Sequence, residues 1–161
     1  QIRLLLYGKG SQEQALRGMV EEAGVEDKVY FAGYISRDEL PDSYRSADIF
    51  LSASHCDGSS VSLMEAMACG LPAIVSDIPG NLEWVRHGEQ GWVFGDGDAD
   101  EMATMMRSAC QERALSEYAI RARSLAEQKA DWRRNFPVLL KAYEAAVQME
   151  NRAAVAGAGQ K

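Results

Sequence analysis

Short apolar runs alternate with helix-like segments along most of the chain, and this alternation limits the fold more than any other feature. The runs lie at residues 2–7, 29–31, 48–52, 73–76 and 91–94. Continuous apolar runs of this length are typical of strands that are buried in a parallel sheet. Strands that alternate with helices form βαβ units. The sequence therefore predicts an α/β domain with a mostly parallel sheet flanked by helices.

Helix signals fill the segments between the runs. Ser11 is predicted to cap a helix that Gly24 ends, and Ser36 and Glu39 have the spacing of a capping box. Pro41 is expected to kink or split the short helix that follows. Further helices are predicted at 61–69, at 80–86, from residue 99 onward, at 112–129 and at 131–150.

The chain has 161 residues, a length that corresponds to one domain. We assign this domain to residues 1–150. Residues 151–161 are rich in alanine and glycine and are predicted to form a disordered tail. Because the chain starts directly at the first apolar run, with Gln1 where an initiator Met would stand, we interpret it as a piece of a longer protein.

Charge and cysteine content restrict the partners. The formal net charge is −7, which disfavours nucleic acid and anionic membranes as main partners because both repel an acidic protein. The three cysteines have no paired spacing, so neither a disulfide framework nor a zinc cluster is expected, and a reducing, cytoplasmic compartment is favoured. Cys56 and Cys69 are expected to be small buried side chains.

A ligand is expected at the carboxyl ends of the strands, where a parallel sheet leaves its crevice. Gly8-Lys9-Gly10 follows the first strand and opens a helix. Glycines there would let backbone N–H groups approach a phosphate. The alternative is an ordinary tight turn, and the local sequence leaves both open because the third glycine of the dinucleotide-binding pattern is missing.

The segment from Asp57 to Gly70 carries the strongest chemical signal. A loop rich in Asp, Gly and Ser leads into a helix of small and apolar residues, with Glu65 in its second turn. A carboxylate on a largely buried helix needs a partner, and the hydroxyls of a sugar or ribose would serve. The N-terminal amides of this helix, near Ser59 to Val61, would hold a phosphate. Alternatively, Glu65 pairs with an arginine of the domain and Asp57 only caps the helix.

From Asp57 onward the sequence resembles the C-terminal half of GT-B glycosyltransferases, specifically the large retaining family 4. That family carries an E-x7-E motif followed by A-M-A-x-G-x-P-V-I-A-S and then G-G-x-x-E. The matching positions here are Asp57, Glu65, 66–77, Gly80 and Glu83. Further blocks match in order at 7–10, 29–34, 44–50 and 81–91, so the resemblance covers about residues 1–147.

The resemblance implies a Rossmann-like three-layer domain that binds a nucleotide-sugar donor, such as a UDP-, GDP- or ADP-hexose. Glu65 would bond the ribose hydroxyls, and Asp57 would face the transferred sugar as the catalytic residue. The other implied contacts are Gly58, Ser59, Ser60 and Val61 for the diphosphate and sugar, Tyr34 and Ile35 for the base, and Gly8 and Gly10 for the crevice floor. Family members transfer the sugar with retention and generally need no metal or other cofactor, because basic residues and helix amides take over the charge of the leaving diphosphate.

Two departures from the family pattern bear on function. Asp57 and Ser59 stand where the family has Glu and a bulky apolar residue, and Asp reaches less far because it is one methylene shorter. The family's first βα unit, which carries a diphosphate clamp, has no counterpart in this sequence, and neither has the N-terminal GT-B domain with the acceptor site. We therefore expect the N-terminal GT-B domain as a partner, and peripheral membrane contact only through that N-terminal domain. The truncated domain described by this sequence is expected to be inactive alone.

The preferred function is the donor-binding half of a retaining hexosyltransferase that acts on a glycan, lipid or small-molecule acceptor. A non-catalytic nucleotide-sugar-binding or regulatory module is the alternative, favoured by Asp57 and Ser59. An epimerase is disfavoured because such enzymes use further acidic and histidine residues, whereas His55 is the one candidate here. For His55 we favour a surface or hydrogen-bonding role over catalysis. A sheet edge left open by the missing strand is expected to pair with a second copy.

Overall fold

The computed structural model describes the backbone of residues 2–158 and the side chains of residues 2–149. The elements are β1 (Leu4–Tyr7), α1 (Glu13–Glu22), β2 (Val29–Gly33), α2 (Leu40–Arg45), β3 (Phe50–Ser52), α3 (Val61–Ala68), β4 (Ala73–Ser76), α4 (Pro79–Leu82), β5 (Gly91–Phe94), α5 (Ala99–Gln111), α6 (Leu115–Lys129) and α7 (Trp132–Ala158). Every predicted strand is present. α7 extends to Ala158, beyond the helix end predicted at residue 150. The side chains of 151–161 and the backbone of 159–161 lie outside the described residues, so the disorder predicted for 151–161 stays a prediction.

The strands form two parallel sheets, which confirms the α/β class and divides the predicted sheet into two parts. In the first sheet β1 pairs with β2, and Leu5 lies opposite Tyr30. In the second sheet β4 is central, so that Ile74 lies between Leu51 of β3 and Trp92 of β5. Pairing of a free sheet edge with a second copy stays a prediction.

Helices cover both faces of the second sheet and give it three layers. On one face, Val75 of β4 belongs to a cluster with Leu63 and Met67 of α3 and with Ala122 and Ala126 of α6. On the other face, α5 packs against β4 and β5, and the apolar side chains there include Ile74, Trp92, Phe94, Met102, Met105 and Met106. Because all residues of β4 are buried, this strand is fixed by both layers.

The first sheet lacks such cover. Leu5 and Tyr7 of β1 and Tyr30 of β2 share one face of the two strands and are 47%, 43% and 46% exposed. Leu16 and Met19 of α1 are exposed as well. From residue 2 to residue 59, all of which the structure describes, no side chain is fully buried. The buried core therefore lies in the part of the chain that follows.

Two local predictions are wrong. Ser11 does not cap α1, which begins after Gln12, a residue whose side chain makes no capping hydrogen bond. Ser36 and Glu39 do make the reciprocal contacts of a capping box, which lower the pKa of Glu39, but these contacts close a turn ahead of α2. Pro41 then lies in the first turn of α2, where its missing N–H is tolerated, so it begins the helix and does not kink it.

The last helix is exposed along its described length. Every side chain from Trp132 to Met149 is exposed. Trp132, Phe136 and Tyr143 recur at helical spacing and place an apolar stripe on α7. Among the residues that the structure describes, no helix combines the length and the apolar character that crossing a membrane requires.

Candidate functional site

The candidate site lies in the loop that joins β3 to α3, at the carboxyl end of the second sheet. Ser60 is the N-cap of α3: its hydroxyl accepts a hydrogen bond from the N–H of Leu63 over 3.4 Å. Ser60, and not Asp57, therefore caps this helix. The Asp57 side chain is exposed and has no hydrogen-bond or ion-pair partner among the described residues, so it is open to a ligand.

The predicted diphosphate amides lead into the first turn of α3. Gly58 and Ser59 are exposed, Ser60 is buried and Val61 is 63% exposed. The first N–H groups of any helix lack partners within the helix, and their dipoles favour an anion. The first turn of α3 thus carries donors of the kind that the predicted diphosphate contacts require, and those contacts stay a prediction.

Buried polar groups at the end of β4 hold the backbone of this loop. The hydroxyl of Ser76 donates to the carbonyl oxygen of Ser54 over 2.5 Å. Asn81 in α4 is fully buried and donates from Nδ2 to the carbonyl oxygen of Ser76 over 3.1 Å and to its hydroxyl over 3.2 Å. This network connects α4 and β4 to the start of the loop.

Exposed side chains tie the loop to two neighbouring loops. Nδ1 of His55 lies 2.6 Å from Oδ1 of Asp96, which follows β5. The N–H of Asp96 in turn donates to Oδ1 of Asp77, after β4, over 2.7 Å. Ser59 donates from its hydroxyl to Oε2 of Glu83 over 3.1 Å. His55 thus has the surface, hydrogen-bonding position predicted for it.

The cysteine prediction is wrong for Cys56. Its side chain is exposed, because residues 55–59 run over the surface with all their side chains in solvent. Cys69 is half-buried, Cys110 is exposed, and all three are free thiols. Within the described part of the chain, no group of three or more His, Cys, Asp or Glu side chains could hold a metal ion.

Glu65 projects from the second turn of α3 and is partly buried. Its Oε2 accepts a hydrogen bond from the hydroxyl of Tyr44 on α2 over 3.3 Å. Burial, followed by the nearby charge of Glu65, raises the pKa of Tyr44 from its ordinary value of 10.0 to about 12. Among the described side chains no arginine or lysine pairs with Glu65, so the arginine alternative is not found.

Sequence reasoning missed Tyr44. The residue belongs to the block at 44–50 that carries the family resemblance, but nothing in that block indicates which side chain reaches α3. The contact joins residues 21 positions apart, on two different helices. This hydrogen bond depends on how α2 and α3 pack together, which the hydrophobic periodicity of the sequence does not predict.

The residues predicted for the base and the crevice floor follow the strands of the first sheet. The N–H of Gly8 donates to the carbonyl oxygen of Gly33 over 2.8 Å, and its φ of +127° is a conformation that favours glycine. Tyr34 is 78% exposed and Ile35 is partly buried. Gly10 and Gly8 line a shallow depression of about 260 Å³.

The structure therefore divides the predicted site residues between two places. Those from Asp57 to Glu65 lie on one continuous segment, the loop after β3 and the start of α3, and the others follow β1 and β2 of the first sheet. A larger depression, of about 340 Å³, lies between α1 and β2 beside Arg17 and Phe31 and includes none of the predicted residues. Neither Asp57 nor Glu65 lines either of these two depressions.

Comparison with known proteins gives a family and a set of relatives. The family model described as "Glycosyl transferases group 1" matches residues 1–126. An uncharacterized glycosyltransferase of Methanocaldococcus jannaschii is 28% identical over 152 residues, which cover 93% of this chain and 39% of the relative. Mannosylfructose-phosphate synthase of Agrobacterium fabrum is 32% identical over 119 residues, which cover 70% of this chain and 26% of the relative. The chain thus spans well under half the length of these relatives.

Solved structures confirm the fold. HepE of Anabaena, in complex with UDP, superposes with a TM-score of 0.83 at 21% identity, and the match covers 89% of this chain and 41% of that one. Sucrose-phosphate synthase of Thermosynechococcus elongatus superposes with a TM-score of 0.83 at 24% identity, covering 91% and 39% of the two chains. These neighbours are GT-B glycosyltransferases, as the resemblance implied.

Proposed function

The chain belongs to the glycosyl transferases group 1 family, and from this premise we propose that it is the donor-binding half of a retaining glycosyltransferase. The parent enzyme moves a hexose from a nucleotide-sugar to a glycan, lipid or small-molecule acceptor. The solved neighbour with bound UDP supports a uridine nucleotide as the first donor to test. The proposal includes a cytoplasmic location, which the three free thiols support.

The carboxylate of Glu65 is the observation that carries this proposal. It is partly buried, on a helix of small and apolar residues, and its described partner is a neutral tyrosine hydroxyl. A partly buried carboxylate without a cation retains unused acceptor capacity. The vicinal hydroxyls of a ribose supply two O–H donors for this remaining accepting capacity.

The helix that carries Glu65 also supports a place for the diphosphate. The N-terminus of α3 lies one turn before Glu65, with Ser59, Ser60 and Val61 around it. Helix N-termini attract phosphate through their N–H groups and their dipole. One element would thus hold the diphosphate at its start and the ribose in its second turn, and its amides would stabilise the negative charge that develops on the leaving group.

Asp57 is proposed to face the transferred sugar. Its carboxylate is exposed, and the loop that carries it is held at Ser54 by the buried Ser76 and at His55 by Asp96. A fixed loop positions a short side chain more accurately than a loose one would. Asp57 reaches less far than the glutamate of the family pattern. The donor sugar must therefore lie closer to the loop, or the distance from the carboxylate to the sugar hydroxyl must be longer.

The acceptor site and the other wall of the cleft are proposed to come from an N-terminal GT-B domain. The relatives are more than twice as long as the matched part, which leaves room for such a domain in them. No metal or other cofactor is proposed. The alternative, a non-catalytic nucleotide-sugar-binding or regulatory module, is favoured by one contact: Ser59 is engaged by Glu83, at a position where the family has a bulky apolar residue.

Thermal unfolding with nucleotides tests the donor site. The chain is heated with UDP, GDP, ADP and their hexose derivatives. A ligand at about a hundred times its dissociation constant adds about 2.7 kcal/mol to the free energy of unfolding. For a domain of this size, each kcal/mol raises Tm by roughly 2–4 °C, so a bound nucleotide should raise Tm by several degrees.

Two glutamate variants make the test specific. Glu65→Gln keeps the shape of the side chain and removes its charge, and it is expected to abolish most of the rise in Tm. Glu144→Gln changes an exposed glutamate on α7 in the same way and should keep the full rise. The proposed role of Glu65 is wrong if both variants respond to the nucleotide as the unchanged chain does.

A further inference from the structure

The hydroxyl of Tyr44 is the one described donor to the carboxylate of Glu65, and it engages only one of the two oxygens. The hydrogen bond ends at Oε2, 3.3 Å from the tyrosine oxygen. No described side chain donates to Oε1. An ionised carboxylate has about four lone-pair positions, so most of its accepting capacity remains.

The ring of Tyr44 is itself fixed. It lies edge-on to the ring of Phe50, with centroids 6.3 Å apart and planes at 61°. Phe50 begins β3 and packs against the buried cluster under α3. An edge-to-face aromatic pair restrains the orientation of both rings. The position of the Tyr44 hydroxyl is therefore set by the core of the second sheet.

A tyrosine is suited to this place because it stays a donor. Any tyrosine hydroxyl keeps its proton in the neutral range, and burial and the charge of Glu65 disfavour the phenolate further. It adds no positive charge that would neutralise Glu65. A lysine or arginine in the same place would form an ion pair and occupy the carboxylate oxygens that a diol has to reach.

We infer that Tyr44 is a positioning residue for the ribose of the donor: by holding Oε2 of Glu65, it presents the carboxylate to the vicinal hydroxyls of a ribonucleoside diphosphate. This inference rests on the proposed function of Glu65. It extends the site from α3 to α2, an element that none of the predicted site residues belongs to. Tyr44 acts through Glu65 and makes no contact with the nucleotide.

A comparison of ribose and dideoxyribose ligands tests the inference. The affinity of the chain is measured by titration calorimetry for UDP, GDP and ADP, and for the 2′,3′-dideoxy form of whichever binds most tightly. Tyr44→Phe keeps the ring and its contact with Phe50 and removes only the hydroxyl. Because the bond is longer than a usual O–H···O contact, we expect a loss of roughly two- to fivefold in affinity for the ribonucleotide. Affinity for the dideoxynucleotide, which has no diol for Glu65, should stay the same.

Tyr30→Phe is the matched control. It also removes a tyrosine hydroxyl with one hydrogen bond, here to the carbonyl oxygen of Asp27 over 3.0 Å, away from Glu65. It should leave both affinities unchanged. A purely structural role for Tyr44 would lower the affinities for both nucleotides by the same factor, and that result would overturn the inference. So would a Tyr44→Phe variant that binds both nucleotides as the unchanged chain does.

Glu65→Gln separates this inference from the function on which it rests. If Glu65→Gln loses the preference for the ribonucleotide and Tyr44→Phe keeps it in full, only the role of Tyr44 is wrong. If Glu65→Gln keeps the preference, the ribose role of Glu65 is wrong and the role of Tyr44 is overturned with it. Absence of binding by UDP, GDP and ADP to the unchanged chain would overturn both.

Discussion

The backbone of Gly80 lies against the carbonyl oxygen of Gly58, so close that a Cβ at position 80 would stand 1.7 Å from that oxygen. Gly80 belongs to α4, and Gly58 follows the predicted catalytic Asp57. The neighbouring atoms are backbone, which cannot move aside as a flexible side chain would. The position of the Asp57 loop and the absence of a side chain at position 80 therefore depend on each other.

Gly80→Ala is expected to destabilise the domain and to displace the loop. Forcing extra atoms into a closely packed site typically costs about 1–3 kcal/mol, and here the clash is with backbone. Urea unfolding followed by circular dichroism measures the change. Gly18→Ala is the matched control, since a Cβ on Gly18 meets no atom within 4 Å and alanine favours a helix by up to about 1 kcal/mol. Equal stability of the two variants would contradict the packing described for Gly80.

Leu63→Ala tests where the core lies. Leu63 is fully buried in the cluster between α3, α6 and β4, so its truncation should lower the free energy of unfolding by about 2–5 kcal/mol. Leu5→Ala makes the same change in β1, where the side chain is 47% exposed, and should cost much less. Both values come from the same denaturant titration. A larger loss for Leu5→Ala would mean that the first sheet is covered in solution.

The pKa of Tyr44 predicts how stability falls at alkaline pH. The folded state holds the phenolic proton to about pH 12, whereas the unfolded chain releases it near pH 10. Between these values the unfolded state is stabilised relative to the folded state, and the free energy of unfolding falls. The contribution is complete below the lower value and is lost as the pH rises through the higher one. In Tyr44→Phe the free energy of unfolding should therefore fall less steeply across this range. Identical slopes for the two proteins would contradict the shift.

Cys56 is expected to report on binding of the proposed donor. It is exposed in the loop beside Asp57, whereas Cys110 is exposed on α5, and a thiol reagent should label both in the native chain. A nucleotide-sugar bound at Asp57 and the start of α3 is expected to slow the labelling of Cys56 several-fold and to leave Cys110 unchanged. Mass spectrometry of the labelled peptides follows each site. Protection of Cys110 alone, or of neither cysteine under saturating ligand, would argue against this place for the donor.

The strands of the second sheet could be predicted closely from the sequence. β4 and β5 begin and end at the predicted residues, because nearly every side chain in them is buried and an apolar run then marks the whole strand. The division into two sheets was not predicted. Each strand is recognised from its own residues. The division into two sheets depends on which strands pair with each other, and a short apolar run does not predict its partner strand.

The candidate site shows the same limit. The spacing between Asp57 and Glu65 and the helix start between them are local, and both were predicted. Ser11 is not the cap because α1 begins at Glu13, one residue later than a helix capped by Ser11 would, a detail that composition does not fix. Contacts such as Tyr44 with Glu65 and His55 with Asp96 join residues 21 and 41 positions apart. Their existence depends on tertiary packing.

The uneven distribution of buried side chains has a kinetic consequence for the two sheets. Amide protons exchange with solvent through local opening where few apolar contacts oppose it, and through global unfolding where the packing is complete. The amides of β1 and β2 should therefore exchange fast and those of β4 last. Gly8 and Tyr34, predicted to meet the nucleotide, follow the fast-exchanging strands. A donor that reaches both sheets would slow this exchange and lower the difference in opening between them.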